Sequence, residues 1–404
     1  MSGGGRWTAP RLAAAGLGLI AVLVAVLLVT LNATGDGSSP SESAGGAEPL
    51  PRVETPVGAG RGSDQAGGEL ANRGVDPPRK AIWGPVRMPA GGSAFPIYER
   101  LGVDVFQIQL PWADVAASRP ANPSDPADPA YGWPPELEAA IREGRRAGID
   151  VAVMVTTTPG WANGGRARIR APSDPSDLAD FLTAAARHYP AVHHWMVWGE
   201  PNRSDRFLPN APDSPVGPRA YAVLLDHAYR ALKDASEKNV VISGPIFTGG
   251  DVKPPDFLRW LRLPDGHVPR LDWFGLNPYP FRLPDLSRDP EPGGYRDLSD
   301  LDTVRRELAE AFANAPEDPP LWLSEFTVQS GRDSRYFEFH VSESEQAEWL
   351  RAGFEAAGRA GGVAGLGWFT LLDQSPAAGS ADWGLMTASA EPKPAFEAYE
   401  MIGR

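Results

Sequence analysis

Short apolar runs typical of buried strands alternate with segments of helical periodicity from Arg79 to the end of the chain. This alternation occurs eight times. The predicted strands are 81–87, 103–110, 150–156, 192–198, 240–245, 271–276, 321–325 and 363–372, and the helices that follow them are 95–101, 135–147, 177–188, 218–237, 255–261, 298–314, 344–359 and 393–402. The pattern predicts an α/β fold, a closed (β/α)8 TIM barrel, rather than an open doubly wound sheet. No glycine-rich phosphate loop follows any of these strands, which argues against a nucleotide-binding fold.

The segment before the barrel has a different character. Residues 12–31 are twenty uncharged residues preceded by Arg6 and Arg11, and about twenty apolar residues suffice for a transmembrane helix. We therefore expect residues 1–34 to be a cytoplasmic stub and signal anchor, and the glycine-, serine- and proline-rich residues 35–78 to be a flexible linker. The barrel domain, 79–404, would then lie outside the membrane. Cleavage near Ala33, which would release a secreted protein, stays open.

Composition narrows the range of partners. The net charge is −13 without a dense basic tract, which argues against nucleic acid as a partner. The absence of cysteine excludes disulfides and thiolate zinc sites, and no spacing of the HExxH type occurs, so neither a metal nor another cofactor is predicted. The thirteen tryptophans are consistent with core packing or with surfaces that stack on sugars.

Two apolar runs end abruptly in a carboxylate, in segments 193–202 and 320–326. Glu200 ends the fourth predicted strand and Glu325 the seventh, and catalytic groups of this fold lie at the carboxyl ends of the strands. Either acid alone is compatible with a helix cap or a loop. Both at equivalent positions of separate strands indicate paired-carboxylate chemistry. His193 and His194 lie early on the fourth strand and are interpreted as structural.

The segments WGEPN (198–202) and WLSE (322–325) resemble the two signature segments of clan A glycoside hydrolases, which are retaining enzymes on this barrel. Other segments resemble family 39, which contains xylosidases, iduronidases and polysaccharide endoglycosidases. They are TPGWA (158–162), SGP (243–245), NPYP (277–280) and GWF (367–369). The resemblance covers residues 79–404 and is strongest at strands four and seven.

The resemblance implies roles for individual residues. Glu200 would be the general acid/base and Glu325 the nucleophile. Tyr279 would donate a hydrogen bond to Glu325, Trp368 would form the apolar floor under the sugar, and Trp161 would stack on the substrate farther out.

One position departs from the family pattern. Gly199 stands where the family usually has an asparagine that contacts the sugar 2-hydroxyl, and Asn202 is a candidate replacement. Two functions follow. The first is a membrane-tethered retaining glycoside hydrolase acting outside the membrane on a polysaccharide or glycoconjugate. The second is a carbohydrate-binding pseudoenzyme on the same barrel with lost or weak turnover.

Overall fold

A computed structural model describes residues 77–315, 318–331, 339–374 and 381–403. The predicted anchor and all but the end of the predicted linker lie outside these described residues. Among the helices within the described ranges, none has both the length and the apolar character that crossing a membrane requires.

Eight parallel strands form the centre of the domain. They are β1 (Arg79–Trp83), β2 (Val105–Pro111), β3 (Asp150–Thr156), β4 (His194–Val197), β5 (Val240–Ser243, continued by Ile246–Phe247), β6 (Phe274–Asn277), β7 (Leu321–Phe326) and β8 (Val363–Phe369). Strands that are adjacent in sequence pair with one another, and β1 also pairs with β8. Ile242 bridges Trp273, and the continuation of β5 pairs with β6, so that the ring closes. The predicted parallel architecture is confirmed as a TIM-barrel-like domain.

Helices surround the strands on the outside. They are α1 (Phe95–Arg100), α2 (Trp112–Val115), α3 (Pro135–Ala147), α4 (Gly160–Asn163), α5 (Pro175–His188), α6 (Val216–Ala235), α7 (Pro254–Trp260), α8 (Leu301–Ala311), α9 (Glu343–Ala360) and α10 (Pro394–Met401). The four-residue helices α2 and α4 follow β2 and β3 directly and were not predicted. The first predicted strand is also shorter than expected, since β1 ends at Trp83.

Local signals explain where the helices begin and end. Helix α3 has proline at its start, Glu136 and Glu138 in its first turn and arginines in its last turn, and it ends at Gly148 with φ 69°. Acidic residues at the start and basic residues at the end of a helix interact favourably with the helix dipole. Glycine readily adopts the left-handed conformation that terminates a helix. In α9 the Ser342 hydroxyl accepts from the Glu345 amide while the Glu345 carboxylate accepts from the Ser342 amide, which satisfies two otherwise unpaired donors.

Alternate residues of the strands face two separate apolar layers. One layer fills the space between strands and helices, and the other fills the barrel itself. Inside the barrel the rings of Trp273 and Trp322 stack at 5.6 Å. His194, at the start of β4, lies 5.4 Å from the Trp273 ring and contacts Arg79 Nη1 at 3.2 Å. His194 therefore belongs to the lower end of the barrel, away from the carboxyl ends of the strands, which we call the mouth.

Candidate active site

A strained turn after β4 places Glu200 at the mouth. Trp198 and Glu200 have φ angles of 77° and 49°, which non-glycine residues adopt only where their surroundings enforce it, at a cost of about 1–3 kcal/mol each. The Trp198 amide donates to the Val155 carbonyl at 2.8 Å, and the Glu200 amide donates to the Pro245 carbonyl at 3.0 Å. The neighbouring strands thus fix this turn.

A register shift in β7 gives Glu325 its direction. The pairing of β7 with β8 shifts between Leu323 and Phe326, and both of these side chains lie in the outer apolar layer. An irregularity of this kind reverses the simple alternation of side chains and re-aims one of them. The side chain of Glu325 consequently lies on the inner side. The side-chain Nε2 of Gln107 donates to the Ser324 carbonyl at 2.9 Å, which holds the irregular segment in place.

The two glutamates form one electrostatic site. Glu200 is 2% exposed and Glu325 is 1% exposed. The Tyr279 hydroxyl donates to Glu325 Oε2 at 2.7 Å, and Asn277 Nδ2 donates to Glu200 Oε1 at 3.3 Å. Burial raises the pKa of the Glu325 carboxyl, the charge of Glu200 raises it further, and the Tyr279 hydrogen bond acts in the opposite direction. The predicted partnership of Tyr279 with Glu325 is therefore present.

Two arginines beside Glu200 were not predicted. Arg203 Nη1 lies 3.0 Å from Glu200 Oε2, and Arg206 Nε lies 3.6 Å from the same oxygen. The remaining edge of the Arg203 guanidinium donates to both oxygens of Asp205, at 3.0 and 2.9 Å. Burial by itself lowers the pKa of Arg203, but Glu200 and Asp205 outweigh it and raise the pKa. The sequence signal for this ion pair was the position of Arg203 three residues after Glu200.

The structure corrects the role predicted for Trp368. Its ring is fully buried in the outer layer, where it packs edge-on against Phe326 at 5.0 Å. Because side chains alternate along a strand, the next residue, Phe369, faces the barrel interior, with its ring 5.6 Å from that of Trp383. Phe369 and Trp383, rather than Trp368, provide aromatic rings on the inner side of β8.

Asn202 and Trp161 both have partners within the protein. Asn202 is fully buried; its amide nitrogen donates to the carbonyls of Phe247 and Val252, and its oxygen accepts from the Phe247 amide. It therefore anchors the loop after β4 to β5. Trp161 is partly exposed on α4, donates to the Ala116 carbonyl at 2.8 Å, and has the Arg119 guanidinium 4.5 Å from its ring. Stacking of Trp161 on a sugar stays a prediction.

No known protein family matches the chain, and no curated protein matches it in sequence. Solved structures do match. A family 39 glycoside hydrolase from Bacteroides cellulosilyticus WH2 aligns with a TM-score of 0.60 and 17% identity over 80% of this chain and 63% of that enzyme. The family 39 enzyme from Xanthomonas axonopodis pv. citri aligns with a TM-score of 0.54 and 17% identity, over 82% of this chain and 71% of that enzyme. A β-xylosidase from Caulobacter crescentus CB15 aligns with a TM-score of 0.53 and 18% identity, over 81% of this chain and 69% of that enzyme.

The chain thus spans less than two thirds of the Bacteroides enzyme. At these identities the likeness concerns the fold, which is that of glycoside hydrolases of family 39 and related clan A enzymes. The likeness predicted from the motifs is supported at that level. Within the part of the chain that the structure describes, no group of three or more histidine or acidic side chains is arranged to hold a metal.

Proposed function

We propose that the protein is a retaining glycoside hydrolase with Glu325 as nucleophile and Glu200 as general acid/base. The observation that carries this proposal is the pair of buried carboxylates that follow β4 and end β7, which are contacted by Asn277 and Tyr279, two residues apart at the end of β6. Retaining enzymes use two such carboxyl groups, about 5–5.5 Å apart. The fold shared with glycosidases supports the same activity.

In the first step a Glu325 oxygen attacks the anomeric carbon while the bond to the leaving oxygen breaks, and Glu200 gives its proton to that oxygen. A glycosyl ester on Glu325 results. In the second step Glu200 takes a proton from water as the water attacks the anomeric carbon, and Glu325 departs as carboxylate. The Tyr279 hydroxyl, 2.7 Å from Glu325 Oε2, stabilises the charged form of Glu325 at both ends of the cycle.

The proposed substrate is a polysaccharide or glycoconjugate. The inner rings of Phe369 and Trp383 are suited to contact the apolar face of a sugar. The twenty uncharged residues 12–31 support anchoring in a membrane with the barrel outside it. Mass spectrometry of the N-terminus of protein purified from membranes tests the anchor; a start near Ala33 would instead indicate a cleaved, secreted form.

A specific observation favours a second candidate, a carbohydrate-binding protein with little turnover. Gly199 lacks the side-chain amide that family 39 usually has at the sugar 2-hydroxyl, and Glu200 Oε2 is engaged in a buried ion pair with Arg203 Nη1 at 3.0 Å. This candidate retains the barrel and its aromatic lining but has slow or no hydrolysis.

Hydrolysis of a panel of activated aryl glycosides separates the two candidates. We expect Glu325→Gln to abolish turnover and Glu200→Gln to lower it by about 10²–10⁴-fold, whereas Glu99→Gln, at an exposed position of α1, should leave it unchanged. A 2-fluoro glycoside should label Glu325, and a label on another residue would overturn the assignment. Binding on a glycan array without hydrolysis of any glycoside would establish the second candidate.

A further inference from the structure

The backbone carbonyl of Ser324 accepts hydrogen bonds from the side chains of two other strands. Gln107 Nε2 on β2 donates to it at 2.9 Å, and Trp83 Nε1 on β1 donates to it at 3.0 Å. Both donor side chains are buried. The carbonyls of a regular strand pair with the backbone of a neighbouring strand. The carbonyl that directly precedes Glu325 is instead turned into the barrel and held there by two side chains.

Gln107 is held in turn by the strand that it contacts. Its Oε1 accepts from Trp322 Nε1 at 3.1 Å and from Ser324 Oγ at 3.2 Å. The side-chain amide thus uses both of its ends on β7, one on the carbonyl and one on the hydroxyl of Ser324. A buried polar group that loses its partner costs about 1–3 kcal/mol. The network therefore favours one arrangement of β7 around Ser324 over alternatives in which these groups are unpaired.

A glycine on β8, the strand between β7 and β1, leaves the room that this arrangement needs. Phe369 faces the barrel interior, and Gly367 shares that face because side chains alternate along a strand. A Cβ at position 367 would overlap both the Ser324 carbonyl oxygen and Gln107 Nε2. A side chain at this position would therefore displace the inward carbonyl or its donor.

The bulge in β7 decides the direction of Glu325. Between the pairs that Leu323 and Phe326 make with β8, β7 contains two residues where β8 contains one. In a regular strand, the alternation that places Leu323 in the outer layer would place Glu325 there as well. With the bulge, Ser324 and Glu325 both lie on the inner side, where the Tyr279 hydroxyl donates to Glu325 at 2.7 Å. The inward carbonyl of Ser324 is part of this bulge.

We propose that Gln107, together with Trp83, is a positioning residue that holds the Ser324 carbonyl inward and thereby aims Glu325 at the anomeric carbon. The inference rests on the proposed glycosidase function. Both side chains act through the peptide group that precedes the nucleophile. Without them β7 relaxes toward a regular strand, in which Glu325 turns away from Tyr279. The chemical step is affected in this case, because the reach of the nucleophile changes while the rest of the barrel mouth stays in place.

Steady-state kinetics with the best substrate of the glycoside panel test the inference. Gln107→Met keeps the approximate length of the side chain and removes its hydrogen bonds. We expect kcat to fall by about 10–100-fold, since displacement of a reacting group by about 1 Å can cost about 10²-fold, while KM stays close to that of wild type. Trp83→Phe removes one donor and keeps a ring, and Gly367→Ala overlaps the carbonyl while both donors remain. Both should lower kcat, Trp83→Phe less than Gln107→Met.

The matched control is Asn239→Leu, since Asn239 is also a buried amide that donates to a backbone carbonyl, that of Leu232 at 2.8 Å, but before β5 at the lower end of the barrel. It should lower the thermal stability and leave kcat unchanged. If Gln107→Met loses stability in the same way but keeps the kcat of wild type, Gln107 is structural and the inference is wrong. Should Gln107→Met fail to fold, Trp83→Phe, which loses a single hydrogen bond, decides by the same criterion.

A second measurement does not need turnover. The Tyr279 hydroxyl lies 2.7 Å from Glu325 Oε2 in the wild-type chain. In a crystal structure of Gln107→Met, or of Trp83→Phe if the former does not fold, we expect this distance to exceed the hydrogen-bonding range of about 3.2 Å, whereas Asn239→Leu should retain it. An unaltered contact would overturn the inference. If wild type hydrolyses no glycoside, the proposed function fails, while this distance still decides whether Gln107 aims Glu325.

Discussion

Met154 Sδ occupies the space that a side chain at position 199 would need. A Cβ built on Gly199 would lie 2.8 Å from this sulfur and 3.7 Å from Thr156 Cγ2. Met154 belongs to the apolar layer inside the barrel. The glycine that distinguishes this chain from the family 39 pattern is therefore in close contact with a methionine on the neighbouring strand, which has to shift or be replaced if an asparagine is restored at position 199.

This coupling gives a double-variant prediction. Gly199→Asn should destabilise the fold by about 1–3 kcal/mol, because it overpacks the site against Met154. Gly199→Asn combined with Met154→Ala should recover most of that stability and raise kcat/KM by about tenfold or more, since a contact to the sugar 2-hydroxyl contributes up to several kcal/mol. Thermal unfolding and hydrolysis of matched glycosides and 2-deoxyglycosides measure the two effects.

Met154→Ala alone is the control, and it should lose about 2–5 kcal/mol of stability without any gain in rate. The gain of the double variant should disappear on the 2-deoxyglycoside. A stable double variant with no increase on the 2-hydroxy substrate would show that the missing asparagine does not limit turnover.

The hydrogen bond from Tyr279 to Glu325 gives a second prediction. Tyr279→Phe removes the only contact among those described at Glu325 that lowers its pKa by hydrogen bonding, so the pKa of Glu325 should rise further. Because Glu325 attacks as a carboxylate, activity should increase with pH as Glu325 ionises, and in this variant we expect that increase to move to higher pH. We also expect kcat to fall by about 10–100-fold, since loss of a hydrogen bond to a charged group costs about 1.5–3 kcal/mol. The pH dependence of kcat measures both.

Tyr98→Phe is suited as control, because the buried Tyr98 hydroxyl donates to the Pro85 carbonyl at 2.8 Å, outside the catalytic pair. It should lower stability by about 1 kcal/mol and leave the pH profile unchanged. An unchanged profile in Tyr279→Phe would argue against Glu325 as the titrating nucleophile.

The fold was predictable because its signals are repeated and local. Apolar runs fixed the positions of the strands, and β3 and α3 begin and end at the predicted residues. The carboxylates were recognisable because charge at the end of an apolar strand is unusual. The direction of a side chain was harder to predict. Which residues of β8 face inward depends on the register of the strand, and this register places Phe369 rather than Trp368 inside the barrel. The contact of Arg203 with Glu200 depends on the turn after β4, which neither strand nor helix periodicity predicts.

The opposite directions of Trp368 and Phe369 give a third prediction. Trp368→Ala should lower the free energy of unfolding by about 3–5 kcal/mol, as a large buried ring leaves a cavity, while KM of the remaining folded enzyme stays close to wild type. Phe369→Ala should raise KM, because this ring lies on the inner side of β8. Denaturant unfolding and steady-state kinetics of the two variants provide the comparison. A large increase of KM in Trp368→Ala, with no effect in Phe369→Ala, would reverse the assignment.

The histidine at the lower end of the barrel predicts a dependence of stability on pH. Burial, and secondarily the charge of Arg79, lower the pKa of His194 to about 4, although Asp150 opposes this and His193 adds to it. In the unfolded chain the pKa is about 6.5, so the unfolded state takes up the proton first. The stability associated with neutral His194 is thus complete above about pH 6.5 and is lost as the pH falls toward 4.

The expected loss is about 3 kcal/mol, at 1.36 kcal/mol for each unit of pKa difference. His194→Phe should flatten the decrease of the unfolding free energy between about pH 6.5 and pH 4, at the cost of the 3.2 Å contact with Arg79. His267→Phe is the control, since the His267 side chain is 76% exposed and should leave the slope as in wild type. Urea unfolding at several pH values measures the slopes, and equal slopes for wild type and His194→Phe would contradict a buried neutral histidine.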